Sequence, residues 1–293
     1  MVPLLVKLKN GEITRVEIIK FPDGQRSLKL DLKYYNVPKT PIDIKARICN
    51  WYDLELLLCL LSAFREADFI INDIELVYLF GMRCDRRFEP GLPHYFRDVL
   101  APILNWISDT YSVGISIHQP HGRCLNYLKN GTDGAVAINE LEEIFKWKNI
   151  IAADESANEM ARYFGSYYTY TASLPEGYGH ACFYKHRDHV TRKISASINS
   201  DFIDWLRKND RPILIIDDLC DGGATFIEEA KLLRHHFPDR RIELFVYHGL
   251  FSRGLDVVCN EFDKVYTTNS FQDYPRAIRE DVAKKNFNVI EVI

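Results

Sequence analysis

Ile213-Leu-Ile-Ile-Asp-Asp-Leu-Cys-Asp-Gly-Gly-Ala-Thr-Phe226 decides the reading of this chain. A short apolar run ends in two carboxylates, a small-residue loop follows, and an amphipathic pattern begins at Ile227 and runs to His236. This order predicts a strand, a tight loop and a helix. A strand that feeds a loop and a helix N-terminus makes an anion site, because backbone N–H groups and the helix dipole point at one spot. Paired Asp side chains just before that spot suit hydroxyl groups or a metal, not phosphate. Diol and phosphate together describe a ribose 5-phosphate moiety. The plainer alternative is that strand, Asp and helix recur in many α/β proteins and that an Asp here only caps the helix.

Working outward, strand-like and helix-like patterns alternate along the chain. Strands are expected at Val16–Phe21, Ile74–Phe80, Val113–Ile117, Ile150–Ala153, Ala181–Tyr184, Ile213–Ile216 and Ile242–Tyr247. Helices are expected at Trp51–Ala67, Pro93–Trp106, Leu141–Trp147, Glu155–Phe164, Phe202–Lys208 and Ile227–His236. Alternating βα units imply an α/β fold with parallel sheets covered by helices. Gly131-Thr-Asp-Gly134 reads as a turn between two α/β domains, residues 1–134 and 135–293, with a cleft between them. Ligands of such sheets sit beyond the carboxyl ends of the strands.

The bulk composition sets bounds. The chain has 293 residues, 47% hydrophobic and 27% charged, ordinary values for a globular protein. A net charge of −4 gives no general pull toward nucleic acid or an anionic membrane. The apolar start Met1–Val6 is too short for a signal-peptide core, and no run approaches the length of a membrane span. Seven scattered cysteines without a CxxC pair suggest reduced thiols in a cytoplasmic protein, without structural zinc.

Other stretches carry candidate chemistry. Phe21-Pro-Asp-Gly-Gln25 is a turn signature after a strand; its Phe is either a core anchor or an aromatic that sandwiches a base. Arg83-Cys-Asp-Arg-Arg87, after the strand ending near Phe80, suits a polyphosphate or is a solvated basic turn balanced by Asp85 and Glu89. His118 closes a strand, and a satisfied core or loop histidine is its plainer role. Asp154 precedes a helical run, where it serves as an N-cap or a metal ligand. Lys185-His-Arg-Asp188 follows a strand; in extended chain Lys185 and Arg187 project to one side, where two cations can meet developing charge.

The loop around Asp217 and Asp218 resembles the pentose-phosphate loop of type I phosphoribosyltransferases and of ribose-phosphate pyrophosphokinases. The full series, over most of the chain, is similar to the second family. Phe21-Pro-Asp-Gly-Gln25 resembles its adenine-contacting turn, with Gln25 where an acid is usual. Arg83-Cys-Asp-Arg86 resembles its ATP-contacting Arg-Gln-Asp-Lys/Arg. Ser116-Ile-His118 resembles Asp-Leu-His, and Asp154-Glu-Ser-Ala157 stands where Pro-Asp-x-Gly-Gly is usual. Lys185-His-Arg187 matches the catalytic Lys-x-Arg, and Asp217 to Thr225 match Asp-Asp-x-x-Asp-Thr-x-Gly-Thr. His248-Gly-Leu-Phe-Ser252 and Thr267-Thr-Asn-Ser270 resemble two later stretches.

The resemblance implies two tandem phosphoribosyltransferase-like (Rossmann-like) domains, the first with the ATP-contacting motifs and the second with the pentose-phosphate loop. It implies transfer of the β,γ-diphosphoryl group of Mg-ATP to the C1 hydroxyl of ribose 5-phosphate. On that basis Phe21, Asp23, Gln25, Arg83, Asp85 and Arg86 would bind ATP. His118 and Asp154 would hold Mg²⁺, and Lys185 and Arg187 would be catalytic. Asp217 and Asp218 would grip the ribose hydroxyls, and Asp221, Gly222, Gly223, Ala224 and Thr225 would cradle the phosphate. Residues 186–199 would form a mobile lid. A homo-oligomer follows by analogy.

Gly222 stands where the family has Thr, and Gly223-Ala224 replace the next pair. Loss of side-chain bulk opens a second expectation: an acceptor with a 5′-diphosphate ester, such as ADP-ribose, of use in salvage of nicotinamide nucleotides. Ser116 in place of Asp and the altered stretch after Asp154 favour a third, a non-catalytic regulatory relative.

Overall fold

A computed structural model of the chain describes residues 4–8, 13–14, 16–29, 41–87, 89–134, 139–154, 157, 160–161, 182–187, 194–275 and 286–293. It divides into two units, residues 1–136 with the terminal Ile293, and residues 137–292.

The first unit contains β1 (Leu4–Leu8), β2 (Ile13–Thr14), β3 (Glu17–Lys20), β4 (Arg26–Lys29), β5 (Pro41–Ile48), α1 (Trp51–Glu66), β6 (Ile70–Leu79), α2 (Ala101–Tyr111), β7 (Ile115–Ile117) and β8 (Gly131–Asp133). Its main sheet has the order β2-β1-β5-β6-β7-β8. The four strands β5 to β8 are parallel, and β1 and β2 extend the sheet as an antiparallel edge. β5 is central, although its charges at Asp43, Lys45 and Arg47 hide it from a search for apolar runs. Its alternate residues Ile42, Ile44, Ala46 and Ile48 are buried, the two-residue period of a strand.

α1 begins where Asn50 accepts hydrogen bonds from the N–H groups of Tyr52 and Asp53, at 2.9 and 3.2 Å. Asp53 reaches back to accept from the Cys49 N–H at 2.9 Å. This reciprocal cap satisfies donors that a helix start leaves open. Leu54, Leu57, Leu61 and Phe64 then bury one face of the helix.

Three sequence expectations are corrected here. Gly131-Thr-Asp-Gly134 is not a turn between domains: Gly131–Asp133 is the edge strand β8, paired in register with Ile115–Ile117. β3 and β4 form a separate two-stranded hairpin outside the main sheet. The helix expected at 93–106 instead starts as a π-helical turn, Phe96–Leu100, and continues through α2.

The second unit contains α3 (Asn139–Phe145), β9 (Asn149–Ala152), β10 (Tyr184–Arg187), β11 (Ile194–Ser197), α4 (Ser200–Lys208), β12 (Ile213–Cys220), α5 (Ala224–His236), β13 (Ile242–Gly249), α6 (Leu255–Cys259), β14 (Lys264–Thr268) and β15 (Phe287–Ile290). Its sheet, β15-β14-β13-β12-β9, is parallel throughout. Successive side chains of the central strands feed opposite faces. Ile213, Ile215, Leu244 and Val246 pack with Phe226, Ala230 and Leu233 of α5 and with α4. Leu214, Ile216, Phe245 and Tyr247 pack with Leu141, Ile144 and Phe145 of α3. A strand covered on both faces reads as a continuous apolar run, which is why Ile213–Ile216 is so plain in the sequence. The two units therefore share an α/β architecture of parallel strands flanked by helices. The helix expected at Glu155–Phe164 falls largely outside the described residues.

Candidate active site

In the second unit the chemistry gathers at the carboxyl end of the sheet. β12 outruns its neighbour: Ile216 is paired with Ala152, the last residue of β9, while Asp217 and Asp218 continue alongside β13. Asp217 is 7% exposed and its carboxylate accepts a hydrogen bond from the Asp218 N–H at 2.9 Å. Asp218 is half-buried. The chain then turns through Asp221 and Gly222 to Gly223, the residue that precedes α5. Gly223 has φ +78°, and a Cβ there would lie 2.5 Å from the Val258 Cγ2. Both the left-handed backbone and the contact with α6 require glycine. Ala224 and Thr225 form the first turn of α5, a helix of 13 residues whose first N–H groups have no intrahelical acceptors.

Asp221 is fastened to the turn after β13. Its carboxylate accepts from the Ser252 hydroxyl at 2.6 Å, and its carbonyl accepts from the Ser252 N–H at 3.0 Å. Gly222 touches the next residue: a Cβ built on it would lie 3.0 to 3.2 Å from Cδ, Nε and Cγ of Arg253. The space expected to open at Gly222 is therefore occupied by the Arg253 side chain. Cys220, between the acids, is not a ready nucleophile. Burial pushes its thiol well above the ordinary range, and the Asp217 and Asp221 carboxylates push it further. All seven cysteines lie among the described residues and are unbridged.

Lys185 and Arg187 belong to β10, so the strand expected to end at Tyr184 instead begins there. Cys182 bridges Ala152 in the parallel sense, and the Phe183 N–H donates to the Ala152 carbonyl at 3.2 Å. The sheet order Cys182, Ala152, Ile216 thus sends β10 off from the same end at which Asp217 and Asp218 emerge. β10 pairs antiparallel with β11, Lys185 opposite Ala196 and Arg187 opposite Ile194. β11 packs against α5, and Ala196 and Ile198 reach the hydrophobic core. The stretch 186–199 was expected as a lid. Its described residues are a hairpin docked on the helix that follows the glycine loop, and residues 188–193 lie outside the described residues.

Asp154 follows β9. Its carboxylate accepts from the Ala157 N–H at 3.2 Å, the local bond of a cap. His248, on β13, is buried, with its Nδ1 2.8 Å from the Ser270 hydroxyl. Thr267 and Thr268, on β14, are buried beside it.

In the first unit, Phe21 caps the β3–β4 hairpin. It is 43% exposed, so it is not a core anchor. Asp23 closes the turn by accepting from the Gln25 N–H at 3.1 Å. Arg83 lies in a short 3-10 turn, Met82–Cys84, after β6, and both Arg83 and Arg86 are exposed. Asp85 differs from its neighbours. It is 6% exposed and its carboxylate accepts from the Arg123 N–H at 3.2 Å, which ties the basic turn to the loop after β7.

His118 is 0% exposed, and its Nε2 lies 2.5 Å from the Glu75 carboxylate. Glu75 also pairs with Lys45 at 3.0 Å. Burial raises the Glu75 carboxyl, but hydrogen bonds from His118 and Lys45 outweigh it and hold the group below its ordinary range. Nε2 of His118 is thus committed to a carboxylate. Among the described residues no three His, Cys, Asp or Glu side chains are grouped to hold an ion. Nor, among them, is any helix long and apolar enough to cross a membrane.

Sequence reading missed Glu75 and Arg253. Glu75 sits mid-strand with no motif around it. Arg253 had a usable signal: the stretch from Ile213 to Phe226 contains three Asp and no Lys or Arg, so any cation beside this loop comes from elsewhere in the chain.

No family model matches the chain. Among curated proteins, it is 27% identical over 267 residues to the ribose-phosphate pyrophosphokinase of Pyrococcus furiosus, covering 89% of this chain and 88% of that protein. It is 26% identical over 269 residues to the protein of the same description from Pyrococcus abyssi, covering 89% and 86%. For that of Sulfurisphaera tokodaii the identity is 23% over 282 residues, covering 94% and 90%. Low identity sustained over nearly the full length of each protein, together with two α/β units built on parallel strands, makes the chain a distant homologue of the ribose-phosphate pyrophosphokinases.

Proposed function

We propose that the protein transfers the β,γ-diphosphoryl group of ATP to the C1 hydroxyl of ribose 5-phosphate, giving phosphoribosyl pyrophosphate and AMP. The C1 oxygen attacks the β-phosphorus, the bond from that phosphorus to the α,β-bridging oxygen breaks, and the hydroxyl proton is released. Such transfers depend on positioning and charge neutralisation more than on covalent help. One observation supports the reading above the others. At one end of a single sheet, Asp217 and Asp218 emerge, a glycine loop leads into the N-terminus of a 13-residue helix, and the strand that bears Lys185 and Arg187 departs.

In this reading Asp217 and Asp218 accept hydrogen bonds from the ribose hydroxyls, a role suited to a partly buried carboxylate pair. The amides of residues 221–225 and the α5 dipole hold the 5′-phosphate. Lys185 and Arg187 stabilise charge on the diphosphoryl group in flight. In the first unit, Arg83 and Arg86 bind the triphosphate, Phe21 offers its exposed ring to adenine, and Asp23 and Gln25 shape that turn. Asp85 acts by holding the basic turn in place. Mg²⁺ would lower the charge on the transferring group. Asp154 together with ATP phosphate oxygens suits an ion that usually takes one or two carboxylates plus substrate phosphates. His118, with Nε2 on Glu75, also ties β6 to the end of β7, and a carboxylate on one ring nitrogen is compatible with a metal at the other. By family analogy the enzyme is a cytoplasmic homo-oligomer.

The test is direct. Purified protein with Mg-ATP is given ribose 5-phosphate or ADP-ribose, and AMP and the diphosphorylated product are followed by ³¹P NMR. Equal amounts of AMP and phosphoribosyl pyrophosphate from ribose 5-phosphate are expected. Turnover with ADP-ribose alone would transfer the reading to the larger acceptor. Silence with both, in protein that still binds ATP, would make the chain a non-catalytic relative.

A further inference from the structure

The acceptor site proposed above has an unbalanced charge. From Ile213 to Phe226 the chain bears the carboxylates of Asp217, Asp218 and Asp221 and no basic residue. A phosphate ester carries up to two negative charges, and loop amides with a helix dipole offer only partial positive charge. Three carboxylates near the loop oppose an anion, and a cation placed there would offset them.

The residue that stands there is Arg253. The turn after β13 is fastened to the loop at Ser252, which donates to Asp221 through both its hydroxyl and its backbone N–H. This anchor brings the next side chain across the loop. Cγ, Cδ and Nε of Arg253 run so close to Gly222 that a Cβ there would meet them at 3.0 to 3.2 Å. Arg253 is solvent-exposed, and among the described residues no carboxylate pairs with its guanidinium. A glycine in the loop, a hydroxyl-anchored turn and an arginine that no described carboxylate pairs thus meet at one place. Gly222 permits the close approach, and Ser252 fixes its direction.

We propose that Arg253 is the cation of the acceptor site, pairing through its guanidinium with the 5′-phosphate ester of the bound ribose and so setting the enzyme's affinity for the acceptor. Guanidinium and phosphate form parallel, charge-assisted hydrogen bonds that a neutral loop cannot supply. The inference rests on the functional reading of the loop. The shared chemistry, a ribose 5′-phosphate ester, is met by both ribose 5-phosphate and ADP-ribose.

The experiment compares wild type with Arg253→Ala, Arg253→Lys and Gly222→Ala. For each, KM for both acceptors, KM for ATP and kcat are measured, and ribose 5-phosphate is titrated onto the protein by calorimetry in parallel. Arg253→Ala is expected to raise the acceptor KM and Kd about 10- to 100-fold, the range carried by a hydrogen bond between charged groups. KM for ATP should stay within about twofold, as no ATP contact is touched, and Arg253→Lys should recover part of the loss. Gly222→Ala should displace the flexible Arg253 side chain and weaken the acceptor in the same direction. Added to Arg253→Ala it should do little more, because the two act through one contact. The acceptor arm with the greater loss identifies the ester that Arg253 reads. An Arg253→Ala protein with unaltered acceptor KM and Kd beside an active wild type would overturn this inference and leave the proposed reaction standing. A wild type that neither binds nor turns over any ribose phosphate would overturn both.

Discussion

The two units share an architecture, but the polar groups singled out in each sit at different places in the sheet. In the first, a titratable cluster is folded into the sheet. His118 is wholly buried against Glu75, Glu75 is shared with Lys45, and Asp85 is tied to the Arg123 amide. In the second, the acids stand past the end of the neighbouring strand, next to a glycine loop and a helix N-terminus. Satisfied inward groups hold a structure together, whereas groups at a strand's carboxyl edge are positioned for a ligand. A carboxylate therefore carries a different meaning at these two places.

The contrast is breakable by substitution. The largest effect is expected at the edge: Lys185→Ala should lower turnover by about 10²–10³-fold or more if the ammonium meets charge on the transferring group. Steady-state AMP release measures it, and an unchanged kcat removes Lys185 from the chemistry. Next comes the loop itself. Gly223→Ala forces a Cβ toward Val258 at a left-handed φ, which should cost about 1–3 kcal/mol of stability in urea unfolding. A variant as stable as wild type would show that the loop readily adopts another path.

The inward cluster should answer differently. Glu75→Gln is expected to destabilise the protein by roughly 1–2 kcal/mol near pH 7. The loss should depend on pH. The folded-state pKa of Glu75 lies below its unfolded value of about 4.3, so its contribution is fully present above that value. It disappears as pH falls through the folded pKa. Wild type and variant should therefore converge in acid, and a gap that stays constant from pH 7 to about pH 3 would contradict the ion-pair role. The smallest effect on stability is expected at Phe21→Ala. An exposed ring at a hairpin tip should change unfolding by no more than about 0.5 kcal/mol. If it meets adenine, KM for ATP should nevertheless rise severalfold; an unmoved KM would leave the ring without that role.

What could be read in advance follows physical range. Ile213–Ile216 is legible because a strand buried on both faces is apolar at every position, and α5 because its pattern repeats along one helix. β5 escaped notice since Asp43, Lys45 and Arg47 interrupt its apolar residues, although the alternation itself is the signature of a strand. Gly131-Thr-Asp-Gly134 reads as a turn, but turn-forming residues also occur in a short edge strand, where partner strand β7 decides the conformation. The polar residues after Tyr184 look like a loop in sequence; pairing with β11 makes them extended.

The order of strand, acid pair, glycine loop and helix was written in local spacing alone, as was the alternation that makes each unit α/β. Those features need only neighbours within a few residues. The tertiary structure alone decided that Arg253 crosses Gly222, that His118 meets Glu75 and that the strand bearing Lys185 leaves from the sheet end at which Asp217 emerges. Each of these depends on which strands lie side by side and in what register, and backbone pairing between distant segments leaves no local periodic trace.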